Sequence, residues 1–297
     1  MKTLKETLVS LKEHQAILHY NIATYEQYKA AVVAVSETGL PMLIGVSEGE
    51  RGYVGMTMAG QWVQEAQKKN LPIFINADHC KSDTTAMEAV DALYDEVLMD
   101  GTEFTEDENI LRTKKVIEYR NHIQQKIGRE ILIEGEIGYL AGSSDLGGSI
   151  EIKAEYLTTP EQAIRFVQET GVDLLAISVG NVHGVPQTIL QGGNALKSPQ
   201  IDFDRIKTIH SSLRQNNFNT WLVLHGGSGL TDDDFVHAIK CGIQIIHLNT
   251  EFRNIWKNSL KKNLEKDTVN PYKILNGVVE DLKNRIIHYQ QLFYTLQ

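Results

Sequence analysis

Hydrophobic and polar positions fall in blocks along the chain. Short apolar runs, each ending in a polar residue, are separated by longer stretches with helical spacing. The runs read as strands at Ala16 to Tyr20, Met42 to Val46, Pro72 to Asn76, Glu96 to Met99, Glu130 to Glu134, Asp173 to Val179, Leu222 to His225 and Ile243 to Leu248. Runs this continuously apolar are the pattern of strands buried on both faces. The stretches between them predict helices at Thr24 to Thr38, Thr57 to Lys69, Ser82 to Tyr94, Glu106 to Gln125, Thr159 to Gly171, Asp202 to Gln215 and Asp232 to Cys241. Their ends carry the expected punctuation: Gly39 and Pro41 close the first, Thr159 and Pro160 open the fifth, and Gly242 follows the last.

Alternation of this kind predicts a parallel sheet, and eight strand–helix units predict an α/β fold of the closed (β/α)8, or TIM, barrel type over residues 1–297 as one domain. An open doubly wound sheet is the alternative. Residues 251–297 read as a C-terminal helical extension. Phe252, Ile255, Trp256, Leu260 and Leu264, then Ile274, Val278, Leu282, Ile286, Tyr289 and Leu292, form apolar stripes at helical spacing. The eight units look complete by Leu248, so these stripes call for another surface. The choice is the underside of the same barrel or a second subunit, and a homo-oligomer (dimer or tetramer) is expected.

Composition narrows the partners. A net charge of -9 and a pI near 5.6 argue against nucleic acid and anionic membranes. A phosphorylated substrate therefore needs a local positive site. Two cysteines, Cys80 and Cys241, give no disulfide framework and suit the cytoplasm. The N-terminal MKTLKETLVSLKEH has charges throughout and lacks a signal-peptide core, and no segment is apolar for long enough to span a bilayer.

A barrel collects the residues at its strand ends into one mouth. Here these are Asn21, Ser47, Asp78, His79, Asp100, Glu136, His183, His225 and His247. His79, His183 and His225, from three separate strands, make a catalytic zinc site with an open coordination position. The seventh strand runs into LHGGSG, where the amides of Gly226, Gly227, Ser228 and Gly229 can approach a phosphate closely. Ser47 and Arg51 lie in the loop after the second strand, where Ser47 would meet substrate. Arg51 would either clamp a distal phosphate or sit in a surface ion pair.

With NADHC (76–80), VLMDGTEFTEDENILRTKKVI (97–117), EGEIG (134–138), TTPEQAIRFVQETGVDLLAISVGNVHG (158–184) and LVLHGGSGLTDDDF (222–235), the chain resembles the class II, zinc-dependent ketose-bisphosphate aldolases over nearly its whole length. The resemblance implies reversible aldol cleavage of a phosphorylated ketose, fructose 1,6-bisphosphate foremost, to dihydroxyacetone phosphate and an aldehyde. It implies Zn2+ on His79, His183 and His225, and Asp78 as the acid/base at the C4 hydroxyl. Asp100 and Glu136 would support the metal or take a second divalent or a monovalent cation. Gly184, Gly227 and Ser228 would cradle the phosphate, with Asn249 and Thr250 near it.

The chain departs from the family pattern at Asn76, where many members have His, and at Ile245 and His247, where Lys and Asn are usual. The loop after the fifth strand, AGSSDLGGSIEIKAE, lacks the usual Gly-Gly-Glu-Glu-Asp and offers Asp145, Glu151 or Glu155 as the C3 base. Lys197 stands in an altered loop after His183. These changes leave two other classes open, a binding or regulatory relative with reduced catalysis and a metal-dependent hydrolase on the same fold.

Overall fold

A computed structural model describes residues 1–138, 154–182 and 200–295. Its strands are β1 (Ile17–Asn21), β2 (Met42–Val46), β3 (Ile73–Cys80), β4 (Glu96–Met99), β5 (Leu132–Ile137), β6 (Leu174–Ile177), β7 (Trp221–Leu224) and β8 (Ile243–Leu248). They pair in parallel in sequence order, and β8 returns to β1, closing the barrel. The open-sheet alternative is thereby excluded.

The helices are α1 (Leu4–Val9), α2 (Tyr25–Thr38), α3 (Glu48–Val54), α4 (Met56–Lys68), α5 (Asp83–Asp91), α6 (Glu106–Ile127), α7 (Pro160–Thr170), α8 (Phe203–Gln215), α9 (Asp232–Cys241), α10 (Thr250–Leu264) and α11 (Pro271–Tyr294). Thr159 accepts a hydrogen bond from the Gln162 amide in a capping box, with Pro160 at the first helical position. The Gly39, Gly128, Gly171 and Gly242 C-caps are left-handed.

Two apolar layers hold the barrel. One lies between sheet and helices. The other fills the lower interior, where Ile17, Leu43, Phe74, Leu132, Leu174, Val223 and Ile245 meet Leu4 and Leu8 of α1, which plugs the bottom. Side chains two residues further along the same strands face the same way, and there the interior turns polar: His19, Asn76, Glu134, His225 and His247 follow the apolar floor. The apolar-to-polar gradient along each strand puts the chemistry at the C-terminal end.

The C-terminal stripe is covered within the chain. α11 packs on α2, α9, α10 and β1, burying Val278, Val279, Leu282, Ile286, Tyr289 and Phe293. It is the ring helix of the eighth unit, so the expectation that the ring was already complete is corrected. The stripe does not itself call for a second subunit. No helix of the described residues is long and apolar enough to cross a membrane.

Candidate metal and phosphate site

The third strand does more than its apolar run foretells. β3 continues past Asn76 to Cys80, and its register with β4 shifts: Ala77 faces Val97 but Cys80 faces Met99. β3 thus advances one residue more than β4, a bulge. His79 takes a left-handed φ of 47°, which costs a residue with a side chain about 1–2 kcal/mol. The gain is geometric. Neighbouring residues of a regular strand point to opposite faces, yet here both Asp78 and His79 face the mouth, with Asp78 Oδ1 3.9 Å from His79 Nε2. Cys80 then falls back into the core.

His79 Nδ1 lies 2.7 Å from Asp100 Oδ2, and His225 Nε2 lies 2.9 Å from Glu134 Oε1. Each carboxylate engages one nitrogen of its ring, and the other nitrogens, His79 Nε2 and His225 Nδ1, face each other at 3.3 Å. Two nitrogens bound to one tetrahedral zinc at about 2.0–2.1 Å stand about 3.4 Å apart, so the pair fits a shared metal. Two bare lone pairs at that distance repel, and a cation between them, proton or metal, removes the conflict. Burial alone would lower the His79 pKa, but Asp78, Asp100 and Glu136 outweigh it and push it up to about 10. Burial pushes the Glu134 carboxyl up to about 8.

Asp78 is almost fully buried. Its Oδ2 accepts from Asn21 Nδ2 at 2.8 Å, while Oδ1 has no hydrogen-bond partner. Burial would raise its pKa, yet His79, His247 and His19 hold it well below the usual carboxylate range. Asn21 also donates to Glu50, which accepts from Arg253 on α10. Asp100 is engaged on both oxygens: Oδ2 by His79 and Lys81, Oδ1 by the Thr102 amide and hydroxyl. With His79 and Glu136 it also forms a group whose ligand atoms lie close enough to hold a metal ion. Glu136 Oε2 lies 3.5 Å from His79 Nδ1 without a hydrogen bond, and burial, with Asp100 beside it, pushes Glu136 up to about 8.

Beneath these groups, imidazoles stack in a column. His19 and His247 rings lie 3.4 Å apart and 2° from parallel, and His247 stacks on His225 at 3.9 Å. His19, His247 and Asp78 come close enough to suggest a second metal position. A metal lies in the plane of each ring it binds, and parallel planes do not meet, so His19 and His247 do not share one ion in this arrangement. His19 reaches Asn76 Oδ1 at 3.0 Å and lies over Gly45, where a Cβ would come within 2.2 Å of the ring. His19, Asn76 and Glu134 belong to the site although the strand-end pattern does not mark them. Their signal was the two-residue spacing from Asn21, Asp78 and Glu136, which puts each on the same strand face.

The phosphate candidates come together between β7 and α10. Gly226 has a φ of 61°, and a Cβ there would meet Val182 O at 2.4 Å. The Gly227 amide donates to His247 O, and the Glu251 amide donates to Ser228 Oγ. Asn249 is the N-cap of α10 with its Oδ1 unpartnered, and Thr250 opens the helix. A helix N-terminus beside a glycine loop offers backbone amides that an anion can use. Ser47 caps α3, its amide and hydroxyl both donating to Glu50 in a capping box. Arg51 is buried on backbone carbonyls and a thiol, neither a surface ion pair nor aimed at solvent. His183, Gly184, Asp145, Glu151 and Lys197 lie outside the described residues. Glu155 is exposed in the short turn Ala154–Tyr156.

The family model for class-II fructose-bisphosphate aldolases matches residues 2–296. The chain belongs to that family. Among its relatives, the sulfofructosephosphate aldolase of Alkalicoccus urumqiensis is 29% identical over 278 residues, 93% of this chain and 88% of that one. The fructose-bisphosphate aldolase of Staphylococcus epidermidis is 28% identical over 291 residues, 96% and 94% of the two. The crystal structure of the YdjI aldolase from Escherichia coli K12 superposes with a TM-score of 0.76 at 27% identity, covering 94% of this chain and 92% of that one. The fructose-bisphosphate aldolase of Campylobacter jejuni, 17% identical with a TM-score of 0.75 over 97% and 92% of the two chains, shares the fold. Family membership implies lyase chemistry on a phosphorylated sugar, and aldolases of this class are typically metal-dependent.

Proposed function

We propose that this chain is a zinc-dependent aldolase that reversibly cleaves a phosphorylated ketose to dihydroxyacetone phosphate and an aldehyde. The observation that carries the reading is the facing pair His79 Nε2 and His225 Nδ1, 3.3 Å apart, beside the unpartnered Oδ1 of Asp78. His79 and His225 would hold the metal, with His183 as the third ligand from the family pattern. A zinc ion bound there would act as a Lewis acid on the ketone and hydroxyl oxygens and stabilise the enediolate. Asp78 Oδ1 takes the proton of the C4 hydroxyl as the C3–C4 bond breaks, and returns it in condensation. Asn21 fixes the other oxygen, so the free one stays aimed. The loop at Gly226 to Gly229 and the α10 N-terminus hold the phosphate, using remote binding energy to orient the reacting carbons.

Fructose 1,6-bisphosphate and sulfofructose phosphate are the first substrates to test, in a coupled assay for dihydroxyacetone phosphate before and after chelation. Turnover lost on chelation and regained with Zn2+ supports the reading. Metal-independent cleavage would overturn it, as would binding of phosphorylated ketose with no turnover at full metal loading.

A further inference from the structure

Arg51 is a guanidinium buried to 5% exposure on α3, and it donates to two carbonyls and a thiol. Burying a cation is unfavourable unless its donors are used. Nη1 donates to Val46 O at 2.6 Å and to Asp78 O at 3.1 Å, and Nη2 donates to Cys80 Sγ at 3.3 Å. These acceptors are the last residue of β2 and two residues of the β3 bulge, so one side chain ties two strand ends together. Asp78 and His79 fall in the register gap opposite β4, and Arg51 supplies the donor for the Asp78 carbonyl. The planar fork of arginine can bridge acceptors in this way, which a lysine ammonium reproduces only in part.

We infer that Arg51 is a positioning residue: it holds the bulge that turns Asp78 and His79 into the mouth together, and so sets the metal geometry without touching metal or substrate. The inference rests on the metal-dependent reading above. It also replaces the expectation that this arginine clamps a distal phosphate.

The test uses the full-length protein, Arg51→Met and Arg51→Lys. Zn2+ affinity is measured by chelator competition, the ligand field by the visible spectrum of the Co2+ form, and kcat and KM on the phosphorylated ketose. Arg51→Met is expected to weaken metal binding about 10–100-fold, the usual loss when support behind a ligand is removed. Its Co2+ spectrum should shift and kcat at limiting metal should fall, with KM at full metal loading little changed because the phosphate loop is untouched. Arg51→Lys should recover part of the affinity, which loss of fold alone would not explain. If the methionine variant does not fold, the lysine variant decides by its affinity and spectrum. Affinity and spectrum equal to wild type in a folded variant would overturn the inference and leave the aldolase reading standing. A raised KM with intact metal binding would restore the phosphate clamp and also overturn it. A wild-type protein that binds no metal would sink both.

Discussion

Asp78→Asn is the sharpest test of the proposed chemistry because it changes one oxygen's ability to take a proton and little else. In the native site Oδ2 is 2.8 Å from Asn21 Nδ2, and Oδ1, without a hydrogen-bond partner, is 3.5 Å from His247 Nδ1 and 3.9 Å from His79 Nε2. The asparagine can keep its carbonyl on Asn21 and place its amide where Oδ1 stood. The shape persists and the base is gone. A positioned acid/base contributes roughly 10²–10⁴-fold, equivalent to about 3–5 kcal/mol of barrier. The expected result is a kcat lower by about two to four orders of magnitude. Metal content should stay near wild type and KM should change little, since neither the His79–His225 pair nor the phosphate loop depends on this oxygen. The measurements are metal analysis on the purified variant, steady-state kinetics by coupled assay, and single-turnover cleavage to exclude slow product release. A variant with kcat within about tenfold of wild type would remove Asp78 from the mechanism. Loss of metal together with activity would instead make it a ligand.

Other outcomes follow from the same geometry. His225→Ala should lose tight metal binding and turnover, read by chelator competition, and retention of both would dismiss the metal site. Phe293→Ala removes a fully buried ring packed on Phe235 and Tyr289; a loss of about 3–5 kcal/mol should appear in chemical unfolding, and an unchanged midpoint would mean α11 is not part of the ring. His19 is held neutral, its pKa lowered to about 3 first by burial and then by His247. The unfolded chain binds that proton below about pH 6.5, so the stability from a neutral His19 is complete above that pH and is lost as pH falls towards 3. Relative to His19→Gln, wild type should therefore lose about 2 kcal/mol between pH 7 and pH 5; a difference in urea stability that does not move with pH would contradict this.

Much of the barrel was legible because strands buried on both faces are written as apolar runs. His79 and His225 were legible because those runs end in them. The bulge was not, since nothing in NADHC distinguishes a strand that stops at Asn76 from one that gains a residue and continues. Its effect, two adjacent side chains facing one way, runs against strand alternation. The burial of Arg51 was not legible because a loop arginine near a proposed phosphate site is usually exposed, and only the turn of α3 brings it under Asp78. The stacked column of His19, His247 and His225 depends on β1, β7 and β8 meeting, a contact of chain ends that local spacing does not encode. α11 was misjudged by counting units at strands rather than at the helices that follow them.

The seam where the barrel closes bears on how the chain is made. β1 borders β8, the Ala16 amide donates to Phe293 O, and the Gln15 side chain donates to Tyr294 O. The second strand edge of β1 therefore has no partner until Leu248 has been synthesised, and its helical cover is incomplete until α11 has emerged. At about 5–20 residues per second, an apolar edge strand at the N-terminus waits on the order of ten seconds to a minute before it can be sealed. Exposed edges of this kind are templates for wrong pairing, and contacts between chain ends are the slowest to form. β1 is thus sealed only after all seven other strands have been made, and a ribosome that stalls before β8 leaves it with an open edge rather than in a smaller barrel.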